Sequence, residues 1–282
     1  MARLLSLAVL LSTALVASAE PPPAKDVVYK EASGDKLQLH VYSPPDVKPG
    51  DDRTAIVFFF GGGWTSGNPK QFEPFAQHFA SLGCVAICAD YRISSKHKTT
   101  PVESVRDAKS AVRYVREHAK EPGIASDRIV ASGGSAGGHL AACTAMVAGH
   151  WDEKDAKDAD GMPNALVLFN PALDLLALGK RGDKFKPISP AHQVRAGLPP
   201  TLILHGTADA TVPFKQVEAF AKAMKEAKNV CQVEAFEGRG HGFFNNPSFR
   251  KGAKPDDYDA SVKRMTKFLE DQKLLPARRS QK

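Results

Sequence analysis

Apolar and polar positions change their spacing repeatedly between residues 27 and 272, and each change marks an element. Residues 27–32 and 36–42 flank Ser33-Gly34-Asp35 and read as an antiparallel hairpin. Residues 55–60 are continuously apolar, as expected of a strand buried on both faces, and residues 85–89 repeat that pattern. The segment between them, 71–82, reads as a helix. Val105, Ala108, Ala111, Val112 and Val115 recur at helical spacing within 102–118. Residues 128–132 form the next strand, followed by a helix-forming stretch at 139–147. Two brief apolar runs, 166–169 and 202–204, continue the series. Amphipathic helices at 214–227 and 257–269 enclose a last strand at 232–236. Strands alternating with helices predict an α/β fold: a mostly parallel central sheet, helices on both faces, and the hairpin as an antiparallel edge.

Residues 171–198 form the longest stretch without a clear period. They carry Leu173, Leu175, Leu176 and Phe185 and are too short for a separate domain, so a small cap over a site is the expectation. No internal repeat or low-complexity block interrupts residues 24–272.

The N-terminus changes the picture of where the chain works. Arg3, the apolar run 4–16 and Ala17-Ser18-Ala19 have the order of an export signal, cleaved before Glu20. The apolar part is too short to span a bilayer comfortably, and no cysteine marks a lipid-anchored cleavage site. The expected organisation is a signal at 1–19, a proline-containing linker at 20–26, one catalytic domain at 27–272 and a basic tail at 273–282. Roughly 260 residues remain after cleavage, enough for one domain with a substantial core. The expected location is the periplasm or the exterior, with no stable membrane anchor.

The formal net charge is +7, and Lys273, Arg278, Arg279 and Lys282 concentrate part of that excess in the tail. No basic stripe is interleaved with aromatics, so nucleic acid is not an expected partner. Of the 4 cysteines, Cys84 and Cys88 fall on one strand about 13 Å apart, too far to bridge. Cys143 lies on the helix after residue 135 and Cys231 on a late strand. These spacings suggest neither a zinc site nor a disulfide framework, although one bridge stays open.

The candidate chemistry centres on Gly133-Gly134-Ser135-Ala136-Gly137, a G-x-S-x-G sequence between a strand and a helix. Such a turn holds the serine in a strained conformation at the sheet's tip, and glycines two positions away relieve backbone collisions. Ser135 is the candidate nucleophile. A serine needs a base and a group to orient that base, both expected in loops at the carboxyl ends of later strands. Asp209, in Gly206-Thr207-Ala208-Asp209, and His241, between Gly240 and Gly242, satisfy this placement and the expected chain order. Asp174 competes with Asp209 for the acidic role; His139 and His205 read as structural. Phe60-Gly61-Gly62-Gly63-Trp64 follows the first buried strand, and Gly62, Gly63 and Ala136 are expected to supply backbone N–H groups to an oxyanion. A nucleotide site is disfavoured because neither G-x-G-x-x-G nor a P-loop lysine is present. Trp64 and Phe244 read equally well as lining an acyl or sugar site and as packing.

Taken together, these motifs resemble the α/β-hydrolase superfamily over residues 27–272. The most similar branch is that of hormone-sensitive-lipase-like and feruloyl- and acetylxylan-esterase-like serine esterases. The Asp90-Tyr91-Arg92 turn and Gly240-His241-Gly242-Phe243 belong to the resemblance. One position departs from it: the branch usually has histidine before the glycine loop, where this chain has Phe60. The resemblance implies an exported carboxylic-ester hydrolase acting through an acyl-enzyme, without metal or organic cofactor, on a small ester or an acylated carbohydrate. An amidase, formamidase or exopeptidase with the same triad is the alternative of like chemistry. A non-catalytic binding protein on the same fold is the alternative of another class. Oligomeric state is left open.

Overall fold

The computed structural model describes residues 24–152, 155, 161–177 and 183–275. The expected signal at 1–19, most of the linker and the end of the tail lie outside the described residues. Among the described residues, eight strands form a single sheet in the order β1-β2-β4-β3-β5-β6-β7-β8. The hairpin is β1 (Lys25–Ala32) and β2 (Asp35–Tyr42), so the first strand begins inside the expected linker. Both hairpin strands are antiparallel to their neighbours, whereas β3 (Arg53–Phe59), β4 (Val85–Ala89), β5 (Ile124–Gly134), β6 (Ala165–Phe169), β7 (Thr201–Gly206) and β8 (Cys231–Phe236) run parallel.

The continuous apolar runs are explained by what lies on each face. Successive strand side chains point to opposite sides. Ala55, Val57 and Phe59 enter one core, which is shared with α3 (Pro101–Glu117), α4 (Ala136–Met146) and α5 (Phe214–Glu226). Ile56 and Phe58 enter the other, shared with α1 (Glu73–Ser81) and α6 (Pro255–Asp271). Neither face of β3 meets water, so no polar alternation is possible.

Element ends follow local chemistry. Thr100 and Glu103 form a reciprocal capping box ahead of Pro101, which fixes the start of α3. The helix expected at 71–82 begins as a 3-10 turn, Pro69–Phe72, capped by Asn68, before α1 proper. A short helix α2 (Ser94–His97) and 3-10 turns at Asp183–Ile188 and Pro190–His192 were not signalled by periodicity. In the expected cap segment, Leu173, Leu175 and Ile188 are buried in the α3–α4 core. These parts of the segment are therefore rooted in the body of the domain.

Candidate active site

The serine elbow is built by close backbone passage. Ser135 has φ 56° and ψ −118°, a strained combination for a side-chain-bearing residue. It joins β5 to α4, and its N–H donates to Phe169 O at 2.8 Å. A Cβ on Gly133 would lie 2.5 Å from Gly137 O; one on Gly137 would lie 2.0 Å from Phe59 O. Both glycines are thus required by the crossing of β3 and the start of α4. Ala136 is the first residue of α4, where backbone N–H groups have no partner in the preceding turn.

The glycine loop leaves β3 and passes beside this elbow. A Cβ on Gly61 would come within 3.4 Å of Ser135 Cβ. Gly62 has φ 129°, and a Cβ there would lie 2.0 Å from Ser66 O, so the loop folds over itself only with glycine. Gly61 N–H is occupied, donating to Gln71 Oε1 at 2.6 Å. Among the described residues no hydrogen bond engages the N–H groups of Gly62 and Gly63, and both residues are exposed. Phe60, which precedes the glycines, braces the loop through Tyr91. Its ring stacks on Tyr91 at a 4.1 Å centroid distance, and Tyr91 Oη donates to Phe60 O at 2.8 Å.

Asp209 and His241 are brought together by the loops after β7 and β8. His241 Nδ1 donates to Asp209 Oδ2 at 2.7 Å, leaving Nε2 as the free ring nitrogen. Thr211 and Val212 N–H groups donate to Asp209 Oδ1 at 2.8 and 2.9 Å, and Asn170 Nδ2 donates to Oδ2. His205 Nε2 lies 3.3 Å from the same oxygen while donating to Val212 O at 2.9 Å. Burial alone would raise the Asp209 pKa. The hydrogen bonds from His205, His241, Val212 and Asn170 override it and hold the carboxyl far below the usual carboxylate range. Asp209 is therefore a fixed negative charge that orients the His241 ring. The competitor Asp174 is 34% exposed in its side chain, accepts from Leu176 N–H and lies 3.9 Å from His192.

The His241 loop reaches the elbow through Phe244, whose ring would lie 2.4 Å from a Cβ on Gly134. Among the described residues no hydrogen bond joins Ser135 Oγ to His241; packing brings their loops to one rim. A cavity of about 350 Å³ borders His241, lined also by Arg239, Arg250, Lys251 and Lys254. A larger one, of about 710 Å³, lies at the other end of the sheet between the hairpin and α3, away from this chemistry.

Phe244 is a correction. It is 1% exposed and packs against Phe72 and Phe169, so its ring belongs to the core beneath the elbow and cannot line an acyl or sugar site. Trp64 remains partly exposed, with Nε1–H donating to His139 Nδ1 at 3.1 Å. His139, read as structural, is buried, and its Nε2–H donates to Ile188 O at 2.7 Å. It thereby ties the glycine loop to the 183–192 segment. Burial lowers its pKa to about 4, keeping the ring neutral near neutral pH.

Sequence reasoning did not single out Asn170, Gln71 or Asn245. Asn170 directly follows β6 with φ 43°, and an asparagine just past a strand's carboxyl end was the available signal. Gln71 Nε2 donates to Asn245 Oδ1 at 2.9 Å across 174 positions of sequence, a relation no spacing rule reports.

The sheet order, the elbow and the Asp209–His241 pair define an α/β hydrolase, and comparison with known proteins agrees. The BD-FAE family matches residues 39–167, and the prolyl oligopeptidase family matches residues 176–272. The propionate-bound structure of Thermogutta terrifontis esterase 2 is 46% identical, covers 92% of this chain and 98% of that chain, and superposes with a TM-score of 0.86. Mycobacterium tuberculosis esterase LipQ is 29% identical over 227 residues, 72% of this chain and 52% of that protein. A probable isoprenylcysteine alpha-carbonyl methylesterase of Arabidopsis thaliana is 24% identical over 250 residues, 78% of this chain and 51% of that protein. The chain spans about half the length of the curated relatives it matches. The chain belongs to the α/β-hydrolase superfamily, among its hormone-sensitive-lipase-like serine esterases.

Proposed function

We propose that the protein is an exported carboxylic-ester hydrolase that works through an acyl-enzyme on Ser135. The observation that carries this reading is the strained Ser135 on its elbow at the same rim as a His241 ring held by ionised Asp209. In the proposed reaction His241 Nε2 takes the Ser135 proton as Oγ attacks the ester carbonyl carbon. Asp209 stays ionised and stabilises the imidazolium. The N–H groups of Gly62, Gly63 and Ala136 hold the oxyanion. Collapse breaks the bond to the alcohol, which leaves with the proton from His241. A water deprotonated by His241 then attacks the acyl-enzyme, releasing the acid and restoring Ser135.

Short acyl groups are the proposed substrates. The Thermogutta terrifontis esterase has been captured with propionate and with butyrate bound, and also in a form phosphorylated by paraoxon. The expected signal at 1–19, together with the acetylxylan- and feruloyl-esterase resemblance, supports acetylated polysaccharide outside the cytoplasm as the natural substrate. The match of residues 176–272 to the prolyl oligopeptidase family supports a second reading, hydrolysis of a peptide bond by the same residues.

The test is a panel of p-nitrophenyl esters from acetate to octanoate, aminoacyl anilides, an N-formyl aromatic amine and acetylated xylan. Turnover greatest on the short esters, with acetate released from xylan, is expected. Anilide turnover exceeding ester turnover would establish the peptidase reading instead.

A further inference from the structure

We propose that Gln71 and Asn245 form a strut that sets the oxyanion loop and the His241 loop in one fixed relation, making both positioning residues for the reaction. The inference rests on the esterase reading above and names what holds its two halves together.

The two halves come from distant parts of the chain. The glycine loop follows β3, while His241 follows β8 at the far edge of the sheet. Between those strands lie β5, β6 and β7, so no backbone ladder joins the loops. The Gln71 amide does. Its Oε1 accepts from Gly61 N–H at 2.6 Å, and its Nε2 donates to Asn245 Oδ1 at 2.9 Å. Asn245 is 2% exposed and commits its other side-chain atom as well: Nδ2 donates to Gly242 O at 2.7 Å, next to His241. The chain of contacts runs Gly61, Gln71, Asn245, Gly242.

The chemistry of this strut is demanding. Gln71 must accept at one end and donate at the other, which a primary amide does and a carboxylate, an ammonium or a thioether does not. Fixing Gly61 N–H also sets the plane of the Phe60–Gly61 peptide, from which the backbone turns into Gly62 and Gly63. Those residues are the proposed oxyanion donors, whose value depends on being aimed before charge develops. A loop free to drift by an ångström loses that aim and its alignment with His241.

The test uses the full chain with Gln71→Met, Gln71→Glu, Asn245→Ala, Asn245→Asp and the double variant Gln71→Met/Asn245→Ala. Each is assayed on p-nitrophenyl acetate, with Tm measured alongside. Active serine is counted by stoichiometric p-nitrophenol release from a phosphorylating p-nitrophenyl ester, so kcat is expressed per reactive Ser135. Gln71→Met and Asn245→Ala are each expected to lower kcat by about 10-fold, with KM moving by less than about 3-fold. The double variant should fall little further than the worse single one, because the strut is already broken. Gln71→Glu keeps an acceptor for Gly61 but cannot donate to Asn245 as a carboxylate, so it should fall with Gln71→Met.

Multiplicative losses in the double variant, wild-type kcat in Gln71→Glu, or losses that vanish when expressed per reactive serine would each overturn the strut. If Asn245→Ala does not fold, Asn245→Asp, which loses the donation to Gly242, replaces it and is expected to lower kcat likewise. Wild-type protein inert toward every ester would instead defeat the esterase reading. Ester turnover intact in Ser135→Ala would do the same.

Discussion

Asp209 shows how much a single carboxylate can be constrained. Both oxygens are engaged, by Thr211 and Val212 on one side and by Asn170 and His241 on the other. Converting it to an amide keeps the shape but places an N–H₂ group against these donors and no longer favours the tautomer with the proton on Nδ1. Asp209→Asn is therefore expected to reduce kcat by about 10⁴-fold on p-nitrophenyl acetate, whereas Asp174→Asn should change it by less than about 2-fold. Equal effects would remove Asp209 from its role. The Ser135 elbow and the pairing of Asp209 with His241 were legible because such an arrangement requires particular loops in a particular order. Phe244 was not legible as core: an aromatic following a histidine loop carries no mark of the direction in which its ring points. That direction is set by Phe72, Phe169 and the bare backbone of Gly134.

Among the elements, the glycine loop depends on what braces it from behind. The Phe60–Tyr91 stack lies behind the loop, and Gly67 leaves room for the Phe60 ring. Phe60→Ala should lower stability by roughly 3–5 kcal/mol, read as a fall in the urea midpoint, and lower kcat with it. A variant as stable as wild type would show that the stack bears no weight.

His139 gives the same region a pH dependence. Above about pH 6.5 its ring is neutral in both folded and unfolded chains. As pH falls below that value the unfolded chain gains a proton, while the folded ring resists until about pH 4. Stability is therefore lost on acidification across this window, by about 3 kcal/mol from this group when fully developed. Tm measured from pH 7 to pH 4.5 should decline more steeply for wild type than for His139→Gln; parallel declines would assign the loss to other groups. Strand positions were legible at this scale because buried parallel strands are continuously apolar. The 3-10 turns and α2 were not, since pieces of three to six residues complete no helical period.

For the molecule as a whole, pattern sufficed for the fold class because the alternation of elements leaves few topologies. The β4-β3-β5 order and the antiparallel junction of β2 with β4 are pairings of distant segments, which a one-dimensional pattern does not contain. The same holds for the meeting of the elbow, the glycine loop and the His241 loop, which comes from β3, β5 and β8 ending at one side of the sheet. The proposed role as an esterase rests on that meeting. Its most direct test is mass spectrometry of the wild-type protein quenched in acid during p-nitrophenyl butyrate turnover, with Ser135→Ala as the control. A butyryl group on the peptide containing Ser135, missing from the Ser135→Ala protein, is the predicted result. Undiminished hydrolysis by Ser135→Ala, or an acyl group carried on a different residue, would contradict it.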